Sequence, residues 1–252
     1  MNQPPLLLIN GYAATRDDWD PGFLAALEPS HRVIRPDNRG VGSAELGAAE
    51  LTVDLMAADL ERLLDREGIE RLPIVGWSMG GFVAQSLALR APQRVSALVL
   101  IASDPGGAAA VPAAPEVWAR LVDRSGTPRE QASRLIALLF PPRLAGEIDR
   151  QFGELVAAAR AKLAPATLSA QEAAMEAWHR DERAAPDRSA PPTLVLHGTE
   201  DVVIPTANAE ALGARWHGAR VELFVGCAHA AMAQEPVAAA AAIRAHVASA
   251  SR

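Results

Sequence analysis

The chain has 252 residues, half of them hydrophobic, with a formal net charge of −6 and a pI near 5.5. That length and apolar content suffice for a sizeable core in a single domain. The acidic balance, without a basic stripe, argues against nucleic acid and anionic membranes as partners, and the single cysteine, Cys227, leaves no intrachain disulfide and no reason to invoke an oxidising compartment.

The N-terminal residues Met1-Asn2-Gln3-Pro4-Pro5 carry no basic segment or cleavage site, and no apolar run reaches membrane-spanning length, so a cytoplasmic location is expected. Residues 6–9 are apolar throughout, as buried parallel strands are. An exit loop follows over 10–15, and Asp17 or Asp18 is expected to cap a short helix running to Leu27. Residues 32–35 read as a second strand ending at Pro36. A glycine-rich connection over 37–43 is expected to be held by Asp37 and Arg39. Thr52 is a good N-cap for a helix with Val53, Met56, Leu60, Leu63 and Leu64 at helical spacing and Gly68 as its terminating glycine.

Residues 72–75 form a third strand, and residues 82–91 a helix that stops before Pro92. Residues 95–101 are another apolar strand. Strands alternating with helices predict a doubly wound, mostly parallel sheet with helices on both faces. Residues 103–115 break this rhythm with Pro, Gly and Ala, and from there to about Arg183 the pattern is helical only. Thr127-Pro128-Arg129-Glu130 is a capping box. Leu135, Ile136, Leu138, Leu139 and Phe140 supply that helix's apolar side, and Pro141-Pro142 stops it. Ile148, Phe152, Leu155, Val156 and Leu163 suggest a further helix, and Met175 with Trp178 a last one. The sheet resumes at 193–196. A helix over 208–216, a strand over 221–224 and a helix over 236–250 close the chain. The division expected is a core of residues 1–104 and 189–252 with a helical cap over 105–188, all in one structural domain.

Between the third strand and its helix stands Gly76-Trp77-Ser78-Met79-Gly80-Gly81. A serine on so tight a turn is held in strained geometry, its hydroxyl proud of the sheet edge, and the glycines leave room for the turn. This stretch resembles the nucleophile elbow of the α/β-hydrolase family. Leu7-Leu8-Ile9-Asn10-Gly11-Tyr12 is similar to that family's first strand and oxyanion turn, and Pro36-Asp37-Asn38-Arg39-Gly40-Val41-Gly42-Ser43 to its D-x-R-G-x-G-x-S loop. Leu194-Val195-Leu196-His197-Gly198-Thr199-Glu200-Asp201 resembles the acid strand and turn, and Gly226-Cys227-Ala228-His229 the histidine loop. These motifs follow the family's order and run from the first strand to the last helix; residues 105–188 carry no signature. One departure is Asn10-Gly11, where the family commonly has His-Gly. The donor at that turn is a backbone N–H, so the change does not remove it.

The resemblance implies the α/β-hydrolase fold and a cofactor-free hydrolase with Ser78 as nucleophile, His229 as base and then acid, and Asp201 as the residue orienting the histidine. The loops leaving the C-terminal ends of parallel strands share one edge, which suits that assignment. Backbone N–H groups of Tyr12 and Met79 are expected to form the oxyanion hole. Trp77 and Phe140 are expected to contact substrate, with packing beneath the elbow as the alternative for Trp77. Asp104, which follows the strand at 95–101, is the rival acid, but it reads well as a turn initiator before Pro105-Gly106-Gly107. His197 is expected to be a hydrogen-bonded structural residue, His31, His179, His217 and His246 to be solvated, and Cys227 to be inert packing. No metal-binding or phosphate-cradling motif is found.

The activity expected is cleavage of a small, largely apolar carboxylic ester, thioester or lactone. The rival readings are a perhydrolase, non-haem haloperoxidase or acyltransferase of the same fold, and a non-catalytic ligand-binding protein on a hydrolase scaffold.

Overall fold

The computed structural model describes residues 3–182, 184–187 and 189–250. Met1 and Asn2, and the expected boundaries of the helical stretch at Arg183 and Arg188, lie outside them. Six strands form one sheet: β1 (Pro5–Ile9), β2 (Arg32–Ile34), β3 (Leu72–Trp77), β4 (Val95–Ile101), β5 (Thr193–Gly198) and β6 (Arg220–Phe224). Their order is β2-β1-β3-β4-β5-β6, and every neighbouring pair is parallel. The order reverses between β1 and β3, which opens a crevice at the C-terminal ends of those two strands.

Successive strand residues point to opposite faces, so fully apolar strands feed two cores. Leu7, Ile9, Ile74, Leu98, Leu100 and Val195 pack on one face, against α2 (Val53–Arg66), α3 (Met79–Arg90) and α8 (Ala207–Arg215). Leu6, Leu8, Val75, Val99, Leu194 and Leu196 pack on the other, against α1 (Pro21–Leu27) and α10 (Pro236–Ala250). The chain thus has the α/β-hydrolase fold expected of its motifs: a parallel sheet with helices on both faces.

Between β4 and β5 run α4 (Pro115–Val122), α5 (Pro128–Leu139), α6 (Pro142–Arg160) and α7 (Pro165–Arg180). The Thr127–Glu130 capping box forms reciprocally at the start of α5, and α5 packs along α6 across the Pro141 turn. The Asp37–Ser43 loop ties this layer to the sheet. Asp37 takes the backbone N–H and guanidinium of Arg16, Arg39 pairs with Asp59, and the Thr167 hydroxyl of α7 donates to the Gly40 carbonyl at 2.9 Å.

Two local expectations are corrected and one element is added. Asp20, not Asp17 or Asp18, caps α1: its Oδ1 accepts the Phe23 N–H at 2.7 Å, and Pro21 supplies the first helical position. Asp18 instead closes a turn on the N–H and hydroxyl of Thr15. The helix after the elbow begins at Met79 rather than Phe82, because the chain enters helical geometry immediately after the strained serine. A four-residue helix, α9 (Ala231–Gln234), follows His229; it is too short to leave a periodic signal.

Candidate active site

Ser78 sits between β3 and α3 with φ +56° and ψ −125°, the strained geometry of a strand-to-helix elbow. The surrounding backbone leaves no space for side chains on the flanking glycines. A Cβ on Gly76 would lie 2.3 Å from the Gly80 carbonyl oxygen, and one on Gly80 2.1 Å from that of Ile9. The Ser78 N–H donates to the Ile101 carbonyl at 2.9 Å, and Ser103 Oγ donates to the Ser78 carbonyl at 3.2 Å. These bonds fix the turn from the β4 side. The backbone of Gly11 closes on it from the β1 side, where an added Cβ would lie 3.1 Å from Ser78 Cβ.

Asp201 lies in the turn after β5. Its Oδ1 accepts the N–H groups of Val203 and Ile204, each at 2.9 Å, and its Oδ2 faces His229 Nδ1 at 2.9 Å. Burial alone would raise the Asp201 pKa. The charge of His229 and the hydrogen bonds from His197 and His229 outweigh it and hold the carboxyl well below the usual carboxylate range. With Nδ1–H committed to Asp201, His229 keeps Nε2 as the acceptor nitrogen. Trp77 Nε1 donates to the His229 carbonyl at 3.1 Å, and the two rings lie 5.7 Å apart.

Ser78 and His229 both border one cavity of about 710 Å³. Trp77 and Phe140 border it as well, together with the backbone turn at Gly11–Tyr12, Ile136 from α5, Phe152 from α6 and Met175 from α7. The four inserted helices therefore wall the space above Ser78. Met79 is the first residue of α3, where backbone N–H groups have no intrahelical acceptor and the helix dipole favours negative charge. A serine and an imidazole on one cavity, with a buried carboxylate behind the imidazole, can together support attack on a carbonyl.

The rival acid, Asp104, borders the same cavity but faces a different histidine. Asp104 is buried and its Oδ1 accepts from the Gly106 N–H (2.8 Å) and Trp178 Nε1 (3.0 Å), while Oδ2 faces His179 Nε2 at 2.9 Å. Glu200 forms an ion pair with Arg143. His197 is fully buried, its Nε2 2.8 Å from the Ile204 carbonyl and 3.3 Å from Asp201 Oδ2, so it braces the acid turn. Two histidines expected to be solvated, His31 and His246, are buried, and a third, His179, keeps a partly exposed ring while its Nε2 faces Asp104. His31 is buried against Ser30 Oγ, with its pKa lowered by burial. His246 is buried with Nε2 on the Pro192 carbonyl, its pKa likewise lowered by burial. Only packing against distant elements buries the rings of His31 and His246, and their neighbours in sequence give no sign of it. Cys227 is a buried free thiol pushed up in pKa by burial. Among the described residues, no cluster of three or more His, Cys, Asp or Glu could hold a metal ion, and no helix is long and apolar enough to cross a membrane.

Sequence reading missed a polar group on the cavity wall. The Tyr12 hydroxyl donates to Glu172 Oε1, and Glu172 also pairs with Arg124. Burial and the Glu172 bond raise the Tyr12 pKa. Tyr12 and Glu172 are 160 residues apart, so no local pattern announces the contact.

Comparison with known proteins gives a consistent picture. The family model described as alpha/beta hydrolase fold matches residues 4–236. The pimeloyl-[acyl-carrier protein] methyl ester esterase of Aromatoleum aromaticum is 31% identical, covering 94% of this chain and 95% of that protein. Among solved structures, a hydrolase from Pseudomonas aeruginosa superimposes with a TM-score of 0.81 at 29% identity, covering 97% of this chain and 90% of that one. A thermophilic esterase from Thermogutta terrifontis gives 0.80 at 25% identity, covering 99% and 91%.

Proposed function

The chain belongs to the alpha/beta hydrolase fold family, and from that premise we propose that it is a serine esterase, cleaving a small, largely apolar carboxylic ester, thioester or lactone through an acyl-enzyme on Ser78. The observation that carries this reading is the buried Asp201–His229 pair at 2.9 Å beside the cavity that also holds the strained Ser78. The esterase relative supports an ester as the bond cleaved.

In the proposed mechanism His229 Nε2 takes the Ser78 hydroxyl proton as Oγ attacks the carbonyl carbon. Asp201 keeps the proton on Nδ1 and stabilises the imidazolium that results. The tetrahedral oxyanion accepts from the Tyr12 and Met79 N–H groups; a donor of this kind is typically worth about 3 kcal/mol in the transition state. His229 then protonates the leaving oxygen or sulfur, the carbon–heteroatom bond breaks, and the acyl group stays on Ser78. A water molecule, deprotonated by His229, releases the acid and restores the serine. Trp77 and Phe140 provide apolar contact to the substrate, under a cap formed by residues 105–188. No step requires a cofactor, and a single buried, free cysteine suits a reducing cytoplasm.

The test is labelling with a fluorophosphonate followed by mass mapping, alongside hydrolysis of p-nitrophenyl esters. The adduct is expected on Ser78, and Ser78→Ala is expected to lose both labelling and turnover while melting like the wild type. An adduct on another residue, or labelling that survives in Ser78→Ala, would refute the assignment.

A further inference from the structure

Arg160 is the last residue of α6 and borders the cavity, yet only 9% of it is exposed. Its Nε and Nη1 have no hydrogen-bond partner among the described residues. A guanidinium stays charged, so burial without a counter-charge is costly unless something else meets the charge. Asp18 acts on it as an opposite charge, but among the described residues no carboxylate forms an ion pair with it at contact distance. Glu172 is taken by the Tyr12 hydroxyl and by Arg124. Asp18 is engaged by the N–H and hydroxyl of Thr15. Arg134 adds a second positive charge to its surroundings. Tyr12 lies beside the guanidinium; its oxygen accepts from Arg160 while its own proton goes to Glu172, so it supplies a hydrogen bond but no counter-charge. The adjacent α6 residues on the cavity wall, Val156 and Ala159, are apolar. The cavity, whose wall also carries Asp17, Asp18, Asp20, Asp104 and Glu176, therefore holds a buried cation with two donors, Nε and Nη1, that no described residue takes up, and a carboxylate is the group a guanidinium pairs with best.

Tyr12 sets where this cation stands relative to Ser78. The Gly11 backbone abuts the serine, and the side chain of the next residue, Tyr12, reaches Glu172 and Arg160. One tyrosine side chain thus separates the ester position from the guanidinium, a span that an acyl chain of several methylenes can bridge. We propose that Arg160 anchors a carboxylate at the far end of the acyl chain, so that the preferred substrate is a half-ester of a dicarboxylic acid. This rests on the reading of Ser78 as the nucleophile. Hydrolysis then gives an alcohol and a dicarboxylate, with the second carboxylate untouched by the chemistry.

The experiment compares methyl hydrogen adipate with methyl hexanoate and with the neutral amide methyl adipamate, following acid release in a pH-stat. Wild-type kcat/KM is expected to favour the half-ester over the amide by about 30-fold or more, the range of a charge-assisted hydrogen bond to a buried group. In Arg160→Met that preference should collapse to near unity, chiefly through KM, and Arg160→Lys should restore part of it. A wild-type enzyme that hydrolyses the hexanoate but shows no preference for the half-ester over the amide overturns the inference and leaves the esterase reading standing. If Arg160→Met does not fold, the wild-type comparison of carboxylate with amide decides alone. If the wild type hydrolyses none of the three, calorimetric titration of wild type and Arg160→Lys with adipate separates the two ideas. Binding that weakens in the variant retains the anchor and refutes the esterase reading, whereas absence of binding to the wild type refutes the anchor.

Discussion

Trp77 Nε1 donates to the backbone carbonyl of His229 at 3.1 Å, so the residue preceding the elbow serine holds the loop that carries the imidazole. Trp77 also packs on Trp19 and is 7% exposed, so one side chain joins β3, the segment before α1 and the histidine loop. Trp77→Phe keeps most of the apolar area but deletes the donor, leaving a buried carbonyl unpaired at a cost of about 1–3 kcal/mol. The expected outcome is a lower melting temperature together with a drop in kcat of about tenfold, from a looser imidazole. A lower melting temperature with unchanged kcat would reduce Trp77 to a packing residue.

Two buried aspartates each face a histidine at 2.9 Å: Asp201 with His229 and Asp104 with His179. Only the first pair includes the histidine proposed as base. Asp201→Asn favours the wrong imidazole tautomer and is expected to lower kcat by about four orders of magnitude. Asp104→Asn should keep most activity but melt earlier, because Asp104 also receives Gly106 N–H and Trp178 Nε1 and so pins α7 to the end of β4. Glu200→Gln, which removes an exposed pair with Arg143, should change neither by much. Steady-state kinetics and thermal melts of the three variants check this; a silent Asp104→Asn beside an active Asp201→Asn would move the acid to β4.

The parts of this molecule that were legible in the sequence are those with local causes. The apolar strands, the Thr52 cap, the capping box at Thr127 and the Gly-x-Ser-x-Gly turn each declare themselves within a few residues. Ser78, Asp201 and His229 stood out because each directly follows a strand, and parallel strands bring such positions to one edge. What stayed hidden depends on distant partners. Asp20 was passed over for Asp17 and Asp18, which have the same chemistry but lack Pro21 directly after them. His31 and His246 look polar and terminal until packing covers them. The Tyr12–Glu172–Arg124 group and the buried Arg160 beside it arise only when the inserted helices settle over the turn after β1.

The cavity wall predicts a dependence on acyl length. Trp77, Ile136, Phe140 and Met175 offer apolar contact around Ser78, and each methylene buried there is worth up to about 0.8 kcal/mol. For uncharged p-nitrophenyl esters, kcat/KM should therefore rise from acetate through butyrate to hexanoate by up to about fourfold per methylene, then level off as the space fills. Phe152 and Leu155 border the cavity but remain 48% and 69% exposed, so replacing either by Ala should affect the longest chains most. A series that is flat or falls from acetate upward would count against an apolar acyl pocket.

The electrostatics of Asp201 predict how acid unfolds the protein. Burial pushes its pKa up, but His229 and His197 overcome that and hold it below the ordinary range. An aspartate in the unfolded chain titrates near about 3.9. The folded value is the lower one, so between the two the unfolded state binds more protons. The stabilisation is thus fully present above the unfolded value and is lost as pH falls through the folded one. Asp201→Asn has no such proton to bind. Its unfolding free energy should therefore fall less steeply than that of the wild type below about pH 4, narrowing whatever difference separates the two at neutral pH. Urea midpoints measured at stepped acid pH give the comparison directly. Parallel curves through that window would mean that Asp201 titrates as an ordinary carboxyl, and that its contacts with His197 and His229 do not hold its charge.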